Sequence, residues 1–197
     1  MQNKTLLAVI TLGVFLGILL LSQPYSDNLG KPIFAERPIG GNFTMQTANG
    51  ALSLSDFKGK LVLLYFGYTY CPDICPTDLG KLASAYKKLS LSEQQKVQVL
   101  FVSVDPERDT VQRLKTYMDY FEADIIGMTE SPNYLNTITK NYGVVYSKVG
   151  NENDNKYYTV DHSAFTYIID QQGRLINQLP HGSSSTQIVD AIKRNLK

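Results

Sequence analysis

The chain has 197 residues, enough for one domain, and its 19 basic and 18 acidic residues leave a net charge of +1. No basic stripe interleaves with aromatic residues, so the composition excludes a nucleic-acid surface. Residues Thr5 to Ser22 (TLLAVITLGVFLGILLLS) carry no charge, follow Lys4, and reach the length that spans a bilayer. No small-x-small cleavage site precedes Gln23 and Pro24, so residues 1–22 are expected to be an uncleaved signal anchor rather than a removed signal peptide. No cysteine stands directly after the run, which excludes lipoprotein processing. Lys4 and the amino group favour a cytoplasmic N-terminus and send the rest of the chain outward. The segment is not Arg- and Ser-rich like a mitochondrial presequence. The expected location is therefore the bacterial cytoplasmic (inner) membrane, with the domain on the periplasmic side.

Residues 23–38 are polar and interrupted by proline, as in a tether, and residues 39–197 form the expected domain. Asn42 to Thr47 and Ala51 to Leu54 flank Ala48-Asn49-Gly50, a hairpin signal. Leu61 to Phe66 and Val97 to Val104 are continuous apolar runs, as in strands buried on both faces. Between them Thr77 to Leu89 reads as a helix. A second helix is expected over Thr110 to Phe121, with Val111, Leu114, Met118 and Phe121 on one face. A third runs from Pro132 to Tyr142, capped by Ser131 and stopped by Gly143. Val144 to Val149 pairs with Lys156 to Val160, and Ala164 to Ile169 with Leu175 to Leu179 around Asp170-Gln171-Gln172-Gly173. A last helix starts near Ser185. Apolar strands alternating with helices predict an α/β domain, a central sheet flanked by helices in a thioredoxin-like arrangement.

Cys71 and Cys75, the only cysteines, lie in Tyr70-Cys71-Pro72-Asp73-Ile74-Cys75-Pro76, between the first buried strand and its helix. Sites in such sheets lie at the carboxyl ends of the strands. A helix N-terminus also stabilises thiolates through its free N–H groups and dipole. Two thiols at this spacing can close a disulfide or chelate one soft ion. A structural staple is the weaker expectation, because so small a loop removes little chain entropy. A disulfide exchanger separates its cysteines by two residues, whereas three separate them here. The sulfurs at i and i+4 fall on one side of a helical turn, which suits one ion. Two thiolates select soft cations, above all Cu(I). Zinc in a closed site wants four ligands, and two Cys with two His leave copper the better fit.

A third ligand is then sought among His162 and His181. His162, in Val160-Asp161-His162-Ser163, precedes a core strand, and the loop there faces the thiol turn. His181 lies in a polar turn, Pro180 to Ser185, and is expected to be an ordinary exposed histidine. Met45, Met118 and Met128 sit at core spacings and are expected to pack. In Val104-Asp105-Pro106-Glu107-Arg108-Asp109-Thr110, Pro106 fixes a turn and Asp109 is the expected N-cap of the next helix.

Taken together, Tyr65 to Pro76, Ser103 to Thr110 and Val160-Asp161-His162-Ser163 resemble the SCO/SenC family of copper-binding assembly proteins. Gly40-Gly41-Asn42-Phe43, Asp56-Phe57-Lys58-Gly59-Lys60 and the anchored N-terminus are similar too, and the likeness runs from about Gly40 to the C-terminus. Tyr70, where that family often has a polar residue or His, and the loop Asn151 to Asn155 depart from the pattern. The resemblance implies a thioredoxin-like fold and copper ligands at Cys71, Cys75 and His162. It implies a role in assembling the CuA centre of cytochrome c oxidase, as copper donor, thiol reductant or both. The implied partners are the CuA-bearing subunit, other copper chaperones or envelope thiol reductants, and the membrane.

Three function classes follow. A copper chaperone would use both thiols and His162, with Asp73 and Asp161 behind them. A thiol–disulfide oxidoreductase would cycle Cys71 and Cys75 as a redox-active pair and has no need of His162. A peroxiredoxin-like peroxidase ranks last, because Tyr68 stands where that family sets a Thr.

Overall fold

The computed structural model describes residues 38–150 and 157–196. The anchor expected at Thr5 to Ser22, the tether and the loop Asn151 to Asn155 lie outside the described residues. Among the described residues, no helix is long and apolar enough to cross a membrane.

An antiparallel hairpin opens the fold, β1 (Thr44–Thr47) against β2 (Gly50–Ser53), followed by a short 3-10 turn over Leu54–Phe57. The turn tightens where expected, since Gly50 takes a φ of 108° that a side chain would oppose. The central sheet has five strands: β3 (Leu61–Gly67), β4 (Val97–Ser103), β5 (Ile125–Met128), β8 (Phe165–Ile169) and β9 (Leu175–Pro180). Their order is β5-β4-β3-β8-β9, with β3, β4 and β5 parallel and β8 and β9 antiparallel. Every residue of β3 and β4 is buried, which is why both read as largely apolar runs, broken in β4 only by the buried polar residues Gln98 and Ser103. A separate two-stranded sheet pairs β6 (Tyr146–Gly150) with β7 (Tyr158–His162).

The parallel pairs are joined by helices. Here α1 (Ile74–Lys87) and the one-turn α2 (Leu91–Gln94) connect β3 to β4, and α3 (Val111–Asp119) connects β4 to β5. After β5 comes α4 (Pro132–Asn141), and α5 (Ser185–Asn195) follows β9 and packs on α1. Neighbouring residues of β3 serve opposite faces. Tyr65 stacks on Phe101, which in turn meets Tyr117 of α3. Phe66 meets Tyr142, just past α4, and Tyr167 of β8. Met45, Met118 and Met128 are buried as packing residues. This two-sided mixed sheet, with a thiol-bearing helix after its central strand, is the thioredoxin-like α/β fold expected.

Several boundaries move. The first helix begins at Ile74 rather than Thr77 and so takes in Cys75. Strand β5 and helix α2 were not expected. Four residues containing Gly127 carry too little pattern to mark a strand, and Gly127 is there because Leu114 of α3 would lie 2.9 Å from a β-carbon. Helix α2 rests on a capping box in which Ser90 accepts from the Glu93 N–H and the Glu93 carboxylate accepts from Ser90 N–H. The N-cap of α3 is Thr110, whose hydroxyl accepts from Arg113 N–H, not Asp109. Asp109 is fully buried and turned to another task.

Candidate metal centre

Strand β3 ends at Gly67, and the loop Tyr68 to Asp73 then delivers Cys71 to the start of α1, whose N-cap is Asp73. The loop is tightened by Cys71 N–H donating to the Tyr68 carbonyl at 3.3 Å. Cys75 sits in the first helical turn and is fully buried, while Cys71 is half-buried; neither forms a disulfide. The Cys75 N–H donates to the Cys71 sulfur at 3.4 Å. An orphan amide of the helix terminus therefore points at that sulfur, where the helix dipole also favours negative charge.

His162, the last residue of β7, completes the group. Its Nε2 lies 3.2 Å from the Cys75 sulfur, and its Nδ1 lies 3.2 Å from the Ser163 carbonyl. A carbonyl only accepts, so that contact places a proton on Nδ1 and turns Nε2 toward the thiols. The ring stands edge-on between Tyr65 and Tyr68, at 6.3 and 6.0 Å between centroids. The three donor atoms of Cys71, Cys75 and His162 lie within 4.8 Å of one another.

The two thiols are unequal. A hydrogen bond from the Cys75 thiol and those from the backbone N–H groups of Cys75 and Asp73 hold Cys71 well below the usual thiol range, against the cost of its partial burial. The same hydrogen bond to Cys71, together with burial, pushes Cys75 far up. Negative charge is thereby favoured on Cys71 and the proton on Cys75. Burial also raises the Tyr65 hydroxyl, which touches Cys75. Two carboxylates, Asp73 and Asp161, line the open cleft with Cys71 and His162, but neither belongs to the three-donor group. Sulfur, sulfur and imidazole nitrogen form a soft donor set suited to Cu(I), with the nitrogen also acceptable to Cu(II).

His181 stays outside this group. Its Nδ1 lies 2.8 Å from the carboxylate of buried Asp78, which also accepts from the Tyr65 hydroxyl at 3.2 Å. It is a half-exposed histidine tied to α1, more constrained than the free turn residue expected from its polar surroundings.

The segment Asp105 to Asp109 does more than turn and cap. Asp109 accepts from Thr69 N–H at 3.0 Å, from the Thr69 hydroxyl at 2.5 Å and from Ser103 Oγ at 2.7 Å. It fastens the thiol loop to the end of β4. Burial raises its carboxyl, and the bonds from Thr69 and Ser103 oppose the rise. Asp105 takes Arg108 Nε and the Tyr158 hydroxyl, each at 2.5 Å. Arg108 Nη1 donates to the Tyr158 carbonyl at 2.9 Å. Tyr70 is half-exposed between the guanidiniums of Arg108 and Arg113, at 4.6 and 3.9 Å from its ring centre. Only the Asp-Pro turn within this segment was visible beforehand; its partners lie more than forty residues away in the case of Tyr158.

A family model described as SCO1/SenC matches residues 33–197. An "SCO2-like protein" of Rickettsia felis is 35% identical over 206 residues, covering 99% of each chain. Among solved structures, copper-bound yeast Sco1 is similar at a TM-score of 0.73 and 33% identity, covering 80% of this chain and 88% of that one. Copper-bound ScoI of Bradyrhizobium japonicum gives 0.72 and 34%, covering 80% and 99%.

Proposed function

The chain belongs to the SCO1/SenC family, and from that premise we propose that it carries one copper ion on Cys71, Cys75 and His162 for assembly of the CuA centre of cytochrome c oxidase. The observation that carries this reading is the convergence of the three donors within 4.8 Å, with Cys71 and His162 lining an open cleft and Cys75 buried behind them. The copper-bound states of the yeast and Bradyrhizobium relatives support it. Cys71 supplies a ready thiolate, and Cys75 must release its proton when the ion arrives, so loading is coupled to proton release. The Ser163 carbonyl holds the His162 ring with Nε2 facing the sulfurs. Half-burial of Cys71 and His162 leaves an exchange route for a thiolate-bearing acceptor such as the CuA-bearing subunit.

In this reading, residues 1–22 anchor the protein in the bacterial inner membrane, 23–38 tether it, and 39–197 hold copper on the periplasmic side. The test is copper stoichiometry of the full chain. Wild type should retain one copper per chain, and replacing both Cys71 and Cys75 by Ser should abolish retention. Full stoichiometry in the double variant would place the metal elsewhere.

A second reading, a thiol–disulfide oxidoreductase for a partner's cysteines, is favoured by the asymmetry of the pair. The half-exposed thiolate of Cys71 is built to attack a disulfide sulfur, displacing one partner thiolate. The buried Cys75, once deprotonated, would then attack Cys71 in the mixed disulfide and release the second, leaving the partner reduced and Cys71–Cys75 oxidised. Replacement of His162 separates the two readings, because exchange does not need that ring.

A further inference from the structure

We propose that Arg108 is a positioning residue for His162, clamping the β6–β7 hairpin to the thiol loop so that the imidazole meets the two sulfurs. The proposal rests on the copper-site reading for its purpose, though not for its geometry.

The three donors come from two pieces of chain that the central sheet does not join. Cys71 and Cys75 follow β3, whereas His162 ends β7, which pairs only with β6 in its own two-stranded sheet. That hairpin has little core of its own, since Val160 is its one buried residue among the described residues. Two of its tethers act through β6 and are exposed, Lys148 to Glu107 at 2.6 Å and Tyr146 to Asn136 at 2.7 Å. Another is the Tyr68 hydroxyl meeting the Val160 backbone.

Arg108 is different because one planar group touches both pieces. Its side chain is 13% exposed, and its guanidinium carbon lies 3.5 Å from the ring centre of Tyr158, the first residue of β7. The same carbon is 4.6 Å from the ring centre of Tyr70 and 5.9 Å from that of Tyr68, both in the thiol loop. Its Nη1 donates to the Tyr158 carbonyl while its Nε donates to Asp105, which also receives the Tyr158 hydroxyl. Tyr158 is therefore held at its backbone, its ring face and its hydroxyl. Buried Nη2 has no hydrogen-bond partner among the described residues, so the guanidinium sits where the aromatic faces and the two remaining donors fix it. Residues 158, 160 and 162 share one face of β7, so seating Tyr158 seats Val160 beneath it and aims His162. Lys cannot replace this arrangement, because an ammonium has no planar fork to span a carboxylate and a carbonyl while lying on a ring.

The test compares wild type, Arg108→Met, Arg108→Lys and Tyr158→Phe in the full chain held in detergent. Arg108→Met keeps an apolar stem among the tyrosines and removes every donor. In the metal-free protein, proton–proton contacts between the His162 ring and the rings of Tyr65 and Tyr68 should be present in wild type. They should vanish in Arg108→Met, return in part in Arg108→Lys, and weaken in Tyr158→Phe. With aqueous Cu(II), Arg108→Met should bind about tenfold more weakly and lose imidazole nitrogen coupling in pulsed electron paramagnetic resonance, while Cu(I) affinity shifts by less than about threefold. Ring contacts that persist unchanged in the folded Arg108 and Tyr158 variants overturn the clamp. If contacts are lost as expected but wild type shows no imidazole-bound copper, the clamp stands and the copper reading fails. Tyr158→Phe, the mildest change, keeps the test decisive should Arg108→Met not fold.

Discussion

Gly67 and Cys75 approach each other with no room for a side chain between them: a β-carbon on Gly67 would lie 2.8 Å from the Cys75 sulfur. The backbone at Gly67 is ordinary strand, so the glycine is required by proximity rather than by its dihedral angles. The same β-carbon would lie 2.9 Å from Phe101 and 3.0 Å from Tyr65, so no direction is open for relief. The last residue of the central strand is thereby the floor of the metal centre.

Gly67→Ala is therefore expected to destabilise the fold by about 1–3 kcal/mol through overpacking and to push the Cys75 sulfur out of register. Because the sulfur serves both copper states, Cu(I) and Cu(II) affinity should fall together. Competition titrations with a Cu(I) chelator and direct Cu(II) titration check this. Unaltered affinities for both would show that Cys75 tolerates the displacement and that the close approach is unimportant.

His162→Ala should separate the two states instead. Two thiolates satisfy Cu(I), whereas Cu(II) prefers imidazole and a higher coordination number. Cu(II) affinity should drop about 10–100-fold with a changed absorption spectrum, and Cu(I) affinity should change little. His181→Ala, which removes a ring tied to Asp78 and outside the three-donor group, should leave both spectra as in wild type. A Cu(II) spectrum unchanged by His162→Ala would remove that ring from the ligand set.

Much of this centre is legible in the amino-acid sequence itself. β3 and β4 are buried on both faces, so their apolar runs could be read directly, and the thiols follow at the carboxyl end of the first. His162 was legible because it precedes β8, another core strand. What could not be read is whatever depends on distant partners. Asp109 looks like an N-cap because an acidic residue precedes a helix, yet Thr110 takes that place and Asp109 turns inward to Thr69, forty residues away. Arg108 lies in a polar turn whose sequence says nothing of Tyr158, fifty positions on. Strand β5 is four residues with a glycine inside, too short for alternation to show.

Asp109→Ala should test the inward role. The substitution strands the buried Thr69 N–H and leaves two hydroxyls seeking partners, costing about 2–4 kcal/mol in a urea titration. Asp109→Asn keeps the shape but turns a donating NH2 toward one of those donors, so a smaller loss of about 1–2 kcal/mol is expected. Were Asp109 merely a helix cap, the asparagine variant would be neutral, since Asn caps as well as Asp. A neutral Asp109→Asn would thus restore the cap assignment.

The last expectation concerns the acidity of Cys71. With its titration lowered to about 3, the thiolate should persist at mildly acidic pH, where an ordinary thiol, near 8.5, has lost it. Alkylation of Cys71 by iodoacetamide should accordingly stay nearly constant from about pH 8 to about pH 5, where an unperturbed cysteine slows about tenfold per unit. Cys75 should resist the reagent throughout, since it is buried and keeps its proton. The largest cause of the shift is the hydrogen bond from Cys75. Cys75→Ala should therefore move the Cys71 profile back toward the ordinary range, with the helix N–H groups retaining part of the effect. Site-resolved mass spectrometry of alkylated protein measures both residues at once. A Cys71 rate that falls about tenfold per unit below pH 8 would mean that the thiol is not activated, and the attacker role in disulfide exchange would go with it.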